Sequence, residues 1–175
     1  MDQSFSALKA AVRDVPDFPK PGILFKDITP ILADGALFRK AVDSFVEINA
    51  GLKIDKVVGI DARGFLFGAA AAYAMGIGFV PVRKKGKLPF QAESVSYALE
   101  YGESIIEMHV DAIQPGERIA LIDDLLATGG TAAAAVELIA KRGGNLVEAQ
   151  FLIELEFLNG RKKLEGLPVR SFIKF

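Results

Sequence analysis

The sequence predicts an α/β fold built on a parallel sheet. Short apolar runs alternate with helix-forming runs along the chain, which is the pattern of βαβ units. The runs within Ile54–Ile60 (KVVGI) and Ile119–Ile122 (IALI) are continuously apolar, as strands buried on both faces are. The layout strand, tight polar turn, helix occurs twice, with its turns at 61–64 and 123–131.

From the amino terminus, residues 4–14 (SFSALKAAVRD) read as a short helix with Ser4 as its cap. Prolines at 16, 19, 21 and 30 make Val15 to Pro30 extended and irregular, because proline fixes φ and biases its predecessor away from helix. Asp34 to Asn49 is a helix capped by Asp34, with Leu37, Ala41, Phe45 and Ile48 on one face. The strand to Ile60 is followed by the turn Asp61-Ala62-Arg63-Gly64 and a helix over Phe65–Met75. Ile77–Val82 is a strand, and the basic cluster Arg83-Lys84-Lys85-Gly86-Lys87 follows it. Leu88–Gly102 reads as a loop, and Ser104–Val110 alternates as a strand. That strand carries His109, the sole histidine, which reads as a strand-face residue rather than a catalyst. After the central strand, Ala132–Arg142 is a helix stopped by Gly143-Gly144. Leu146–Leu155 is a strand whose end, with Glu154 and Glu156, has no assigned role. NGRKKLE (159–165) is a helical turn, and Val169–Ile173 is a last edge strand.

Bulk properties narrow the function. A chain of 175 residues, half of them hydrophobic, fits one domain with its own core. The net charge of −1, without a long basic run, speaks against a nucleic-acid partner. Cysteine is absent and histidine occurs once, so disulfide frameworks, thiolate metal sites and multi-histidine sites are excluded. No opening segment looks like a signal peptide and no apolar run is long enough to span a bilayer. The expectation is a soluble cytoplasmic protein without a membrane partner.

The chain is organised around Arg118–Thr131, RIALIDDLLATGGT. An apolar strand runs into Asp123 and Asp124, then a small-residue turn, Ala127-Thr128-Gly129-Gly130-Thr131, opens a helix. Ligands in open α/β sheets sit at the carboxyl ends of strands. Glycines let backbone N–H groups close on an anion at a helix start, and Thr128 and Thr131 add hydroxyl donors. Adjacent ionised carboxylates would repel a phosphate. They suit ribose hydroxyls, which donate while carboxylates accept. Acid pair plus phosphate loop therefore reads as recognition of a ribose 5-phosphate. The turn lacks the lysine of a GxxxxGK[ST] loop. The plainer alternative is a core strand with a solvated acid pair and an ordinary turn.

This stretch closely resembles the phosphoribosyl-pyrophosphate motif of the type I phosphoribosyltransferase family, and DDLLATGGT resembles its adenine phosphoribosyltransferase branch. PDFPKPGILFKDITP (16–30) resembles that branch's amino-terminal signature, and SYALEYG (96–102) its catalytic loop. LPFQAESV (88–95) departs from the family pattern. The resemblance implies a mainly parallel five-stranded sheet with helices on both faces. It also implies a small hood over about residues 1–32 and a flexible catalytic loop over about 88–102, all within one domain. The implied reaction joins adenine to phosphoribosyl pyrophosphate, giving AMP and pyrophosphate.

The same resemblance assigns roles. Arg63, Arg83, Lys84 and Lys87 would hold the pyrophosphate, with a non-proline cis peptide expected at Asp61–Ala62. The alternative for Arg63 is a structural ion pair. Asp123 and Asp124 would bind the ribose hydroxyls. Leu24, Phe25 and Lys26 would form the base pocket: in an extended chain the Leu24 C=O and Lys26 N–H point the same way and match the adenine amino group and N1. Hypoxanthine presents the opposite pair. Phe25 would pack on the purine or, alternatively, in the core. Glu100 would bind adenine N7, with Tyr101 beside it in the loop; the alternative for Glu100 is a solvated strand-edge acid. Mg2+ is the implied cofactor, held mainly by substrate oxygens and water, and the implied assembly is a homodimer. The rival readings are a 6-oxopurine phosphoribosyltransferase, a non-catalytic sensor of phosphoribosyl pyrophosphate, and a generic nucleotide-binding domain.

Overall fold

The structure, a computed structural model, describes residues 5–98 and 103–175. The chain divides into two compact units, one ending at Ser44 and one running from Phe45 to Phe175.

In the first unit, α1 (Ser6–Ala11) leads into a two-stranded antiparallel ribbon, β1 (Arg13–Pro16) and β2 (Leu24–Asp27). Ser4 lies outside the described residues, and the position before α1 is held by Phe5 without a side-chain cap bond. The ribbon is more regular than the four prolines suggest. Pro16 sits at the end of an edge strand, where a missing N–H is tolerated, and Pro19 and Pro21 fall in the connection. That connection is fixed by a cis Phe18–Pro19 bond and by the Gly22 N–H donating to Asp17 Oδ1 at 2.8 Å. A five-residue helix, α2 (Thr29–Ala33), precedes α3 (Gly35–Asn49). Asp34 caps α3 as expected, its Oδ1 accepting from Ala36 N (2.8 Å) and Leu37 N (3.0 Å).

The second unit holds β3 (Lys56–Ile60), α4 (Arg63–Met75), β4 (Gly78–Lys84), β5 (Ala92–Ala98), β6 (Glu103–His109), β7 (Arg118–Leu126), α5 (Gly130–Lys141), β8 (Asn145–Glu154) and β9 (Val169–Lys174). Its sheet has seven strands in the order β5-β6-β4-β3-β7-β8-β9. Five of them, β4, β3, β7, β8 and β9, are mutually parallel, as the sequence predicts, so the sheet has two strands more than the five the resemblance implies. The other two form an antiparallel hairpin added at the β4 edge. Residues 88–102, expected as a loop, thus contribute a strand over Ala92–Ala98. Val95 is its buried anchor between Ser94 and Ser96, an alternation that the loop assignment passed over. Residues 99–102, which carry Glu100 and Tyr101, lie outside the described residues.

The strand order fixes where a ligand sits. From β3 the chain crosses through α4 to β4 on one side; from β7 it crosses through α5 to β8 on the other. Parallel crossovers are right-handed as a rule, and running in opposite directions along the sheet they put the two helices on opposite faces. The crevice outside the carboxyl ends of the adjacent strands β3 and β7 is therefore the topological switch point. Beneath it the core is dry: Val57, Val58, Leu121, Ile122 and Phe151 have no solvent exposure. α4 ends at Gly76 in the left-handed region, with φ 69°.

Candidate active site

A cavity of about 280 Å3 opens at that switch point. One wall is the segment after β3, Asp61, Ala62 and Arg63; the other is Asp123 through Ala132, from the end of β7 into α5. β7 runs further than predicted, through both aspartates to Leu126. The acid pair is thus part of the sheet, held by pairing to β8 at Asp123↔Phe151 and Leu125↔Ile153. The peptide Asp61–Ala62 is cis, as expected.

The carboxylates sit in different surroundings. Asp124 is 5% exposed, and its Oδ2 lies 2.8 Å from Arg63 Nε. Asp123 Oδ1 accepts the Asp124 N–H at 2.9 Å. Burial pushes the Asp123 carboxyl well above the usual carboxylate range. The neighbouring Asp124 charge pushes the same way, and Arg63 opposes both. Burial also raises Asp124, against the pull of Arg63. Gly64 permits this arrangement: a Cβ there would stand 2.5 Å from Asp123 Oδ1 and 3.2 Å from the Ile122 carbonyl oxygen.

The phosphate loop is braced from behind. Gly129 is left-handed, φ 77°, at the start of α5. A Cβ on Gly129 would run into the Gly160 carbonyl, and one on Gly160 into the Ala127 carbonyl. Gly160 opens a 3₁₀ turn, Gly160–Leu164, that Arg161 pins to the end of β8. Arg161 donates to Glu154 at 2.9 and 2.6 Å and to the Val169 carbonyl at 2.8 Å. This fork holds the Glu154 carboxyl below its ordinary pKa. On the other side, Thr131 Oγ1 and Tyr97 OH share a hydrogen bond of 3.0 Å, and the Tyr97 ring lies against Gly130.

Arg63, Asp123, Asp124 and Ala127–Thr131 therefore meet around one cavity. Arg83 and Lys87 gather on Asp61: Arg83 Nε donates to Asp61 Oδ2 at 2.9 Å, and Lys87 Nζ is 3.9 Å from the same oxygen. Lys84 is exposed at the end of β4 and does not line the cavity. Leu24, Phe25 and Lys26 lie on β2 in the first unit. His109 ends β6, its ring 6.1 Å from that of Phe90. Among the described residues, no three or more His, Cys, Asp or Glu side chains converge as a metal cage. Sequence reasoning missed Gly64, Tyr97, Glu154 and Gly160. Gly160 had a signal, the Asn-Gly turn; the rest are contacts distant in sequence.

A parallel sheet with an anion loop and an acid pair at its switch point defines a class of sugar-phosphate-binding proteins, and comparison with known proteins identifies it. The phosphoribosyl transferase domain family matches residues 28–172, and the chain belongs to that family. An adenine phosphoribosyltransferase from Bradyrhizobium sp. (strain ORS 278) is 59% identical over 170 residues, covering 96% of this chain and 95% of the relative. The crystal structure of adenine phosphoribosyltransferase from Thermoanaerobacter pseudethanolicus superposes with a TM-score of 0.94 at 50% identity, covering 97% of this chain and 98% of the other. The enzyme from Saccharomyces cerevisiae, complexed with an imino-altritol bisphosphate and adenine, gives 0.91 at 45% identity, covering 97% and 98%. Within the family the chain groups with the adenine phosphoribosyltransferases.

Proposed function

We propose that the chain transfers the 5-phosphoribosyl group of phosphoribosyl pyrophosphate to adenine, giving AMP and pyrophosphate. The observation that carries this reading is the switch-point cavity, where an acid pair and an anion loop leave the end of the same strand. The loop Ala127–Thr131 takes the 5-phosphate on backbone and hydroxyl donors. Asp123 and Asp124 accept from the ribose hydroxyls. Arg63, Arg83 and Lys87, with Lys84 further out, stabilise the pyrophosphate. The bond from the anomeric carbon to the pyrophosphate oxygen breaks as adenine N9 forms its own bond to that carbon; the N9 proton passes to water and pyrophosphate keeps the electron pair. Positive charge develops on the sugar ring meanwhile, and fixed negative charge beneath it lowers the barrier.

Adenine is assigned to β2. Pro16 faces Leu24 and has no N–H, so that pair cannot exchange both ladder bonds; Val15 and Phe25 suit the doubly bonded position. Leu24 C=O and Lys26 N–H then point together, away from β1, in the donor–acceptor order that adenine presents. Glu100 contacts adenine N7 and Tyr101 accompanies it. Asp123 and Asp124 offer oxygen donors of the kind Mg2+ takes, with substrate and water completing its shell. Asp123 and Asp124 would be the protein groups beside such an ion, which would supply charge neutralisation on the pyrophosphate. The protein works in this reading as a cytoplasmic homodimer, and light scattering on the purified chain tests the dimer.

The deciding assay incubates purified protein with Mg2+, phosphoribosyl pyrophosphate and each free base in turn. AMP formation from adenine, at least about 10⁴-fold preferred over hypoxanthine, is expected from a site built on hydrogen bonds to the base. Preference for hypoxanthine would make it a 6-oxopurine enzyme. Binding without turnover of any base would make it a sensor.

A further inference from the structure

We infer that Tyr97 is a positioning residue for the phosphate loop: its phenol sets the Thr131 hydroxyl to donate into the anion site. The inference rests on reading Ala127–Thr131 as a phosphate site and adds a residue from outside that loop.

Thr131 has one hydroxyl proton and two lone pairs. A phosphate only accepts, so the proton must be turned toward it. Thr131 lies in the first turn of α5, where a threonine hydroxyl has a competing outlet, the carbonyl of the preceding turn. Tyr97 OH stands 3.0 Å from Thr131 Oγ1. Hydroxyl protons rotate freely at such a distance, so either oxygen can donate. Thr131 keeps both Tyr97 and a phosphate only when the phenol donates to Oγ1 and Thr131 donates onward. A phenol is a better hydrogen-bond donor than an aliphatic hydroxyl. A donor chain of this kind also polarises the terminal bond.

The placement of Tyr97 is fixed from several sides. It is paired opposite Ser104 near the end of the β5–β6 register, and buried Val95 anchors the same strand. α5 packs on β5, and the Tyr97 ring blocks the space beside Gly130, where a Cβ would lie 3.1 Å from Cδ2. The hairpin added to the parallel sheet is therefore the element that brings a phenol to the phosphate loop.

The test is Tyr97→Phe, which keeps the ring and removes the hydroxyl, measured by steady-state kinetics of the full chain with Mg2+, phosphoribosyl pyrophosphate and adenine. KM for phosphoribosyl pyrophosphate should rise roughly five- to tenfold, the net worth of the one neutral hydrogen bond that orients Thr131. KM for adenine and the thermal midpoint should stay unchanged. In a Thr131→Val background the same change should cost less than about twofold, because the hydroxyl it orients is gone. An unchanged KM in Tyr97→Phe overturns the inference, as does an equal loss in both backgrounds. Wild-type protein that does not bind phosphoribosyl pyrophosphate overturns the phosphate reading itself.

Discussion

Arg63 Nε stands 2.8 Å from Asp124 Oδ2 and joins the start of α4 to the end of β7 across the switch point. The pair is unequal: the Asp124 side chain is 7% exposed and that of Arg63 38%. Removing the arginine therefore strands a buried carboxylate, while removing the carboxylate leaves a cation that reaches water. Arg63→Ala should cost about 1–2 kcal/mol, less than the loss of a fully buried partner because solvent already screens the guanidinium. In a chain of this size that lowers the thermal midpoint by about 3–6 °C. Arg63 is also the charge that opposes the burial shift on both aspartates. Stability of the variant should accordingly fall more steeply than wild type as pH rises above 4, measured by thermal melts across pH. A parallel pH profile would show that Arg63 holds neither carboxylate.

Asp123 gives a prediction of opposite sign. A carboxyl whose folded pKa lies above its unfolded value holds its proton more tightly in the native state. It contributes stability below the unfolded pKa of about 3.9 and loses it as pH rises through the folded value. Asp123 is raised chiefly by burial, so at neutral pH it opposes folding. Asp123→Asn keeps the oxygen that accepts the Asp124 N–H and removes the buried charge. The variant should melt about 2–4 °C higher at pH 7, the effect of about 1 kcal/mol, with the gain vanishing toward pH 4. It should also bind phosphoribosyl pyrophosphate more weakly. A lower midpoint at pH 7 would place the carboxylate among the stabilising groups.

Much of this architecture was legible in the sequence, for local reasons. Continuous apolar runs marked β3 and β7, and the acid pair followed by a glycine turn marked the loop, because strand burial and turn chemistry are written in neighbouring residues. The cis bond at Asp61–Ala62 followed from family likeness rather than from spacing. What was not legible depends on contacts between distant segments. AESVSYA alternates weakly around one buried valine, so β5 shows only beside β6. Glu154 had no readable role because its partner, Arg161, meets it in a fork set by the 3₁₀ turn. Gly64 looks like any turn glycine until the Asp123 carboxylate lies against it.

Glu100, outside the described residues, is tested by kinetics. If it binds adenine N7 as N9 reacts, the contact matters most when charge moves in the base. Glu100→Ala should lower turnover by about 10²-fold or more, within the range of lost acid–base or hydrogen-bond assistance. The dissociation constant for phosphoribosyl pyrophosphate, measured by calorimetry without adenine, should be unchanged. Wild-type turnover in the variant would remove Glu100 from the mechanism, and weakened phosphoribosyl pyrophosphate binding would move it to the pyrophosphate side.

Gly160 tests whether the phosphate loop depends on its backing. A methyl group at this position meets the Ala127 carbonyl and lies 2.9 Å from Gly129 N. Both are backbone atoms of the loop, so relief requires the loop or the 3₁₀ turn to move. The turn is the harder to move, because Arg161 ties it to Glu154 and to the Val169 carbonyl. The loop should therefore yield, carrying its N–H groups away from the phosphate. Displacement on the scale of 1 Å costs about 10²-fold in such a site. Gly160→Ala should raise KM for phosphoribosyl pyrophosphate by that order while leaving KM for adenine near wild type. Adding Glu154→Gln loosens the fork and lets the turn retreat instead, so the double variant should recover part of the lost affinity. A double variant weaker than Gly160→Ala alone would show that the fork supports the loop directly rather than confining the turn.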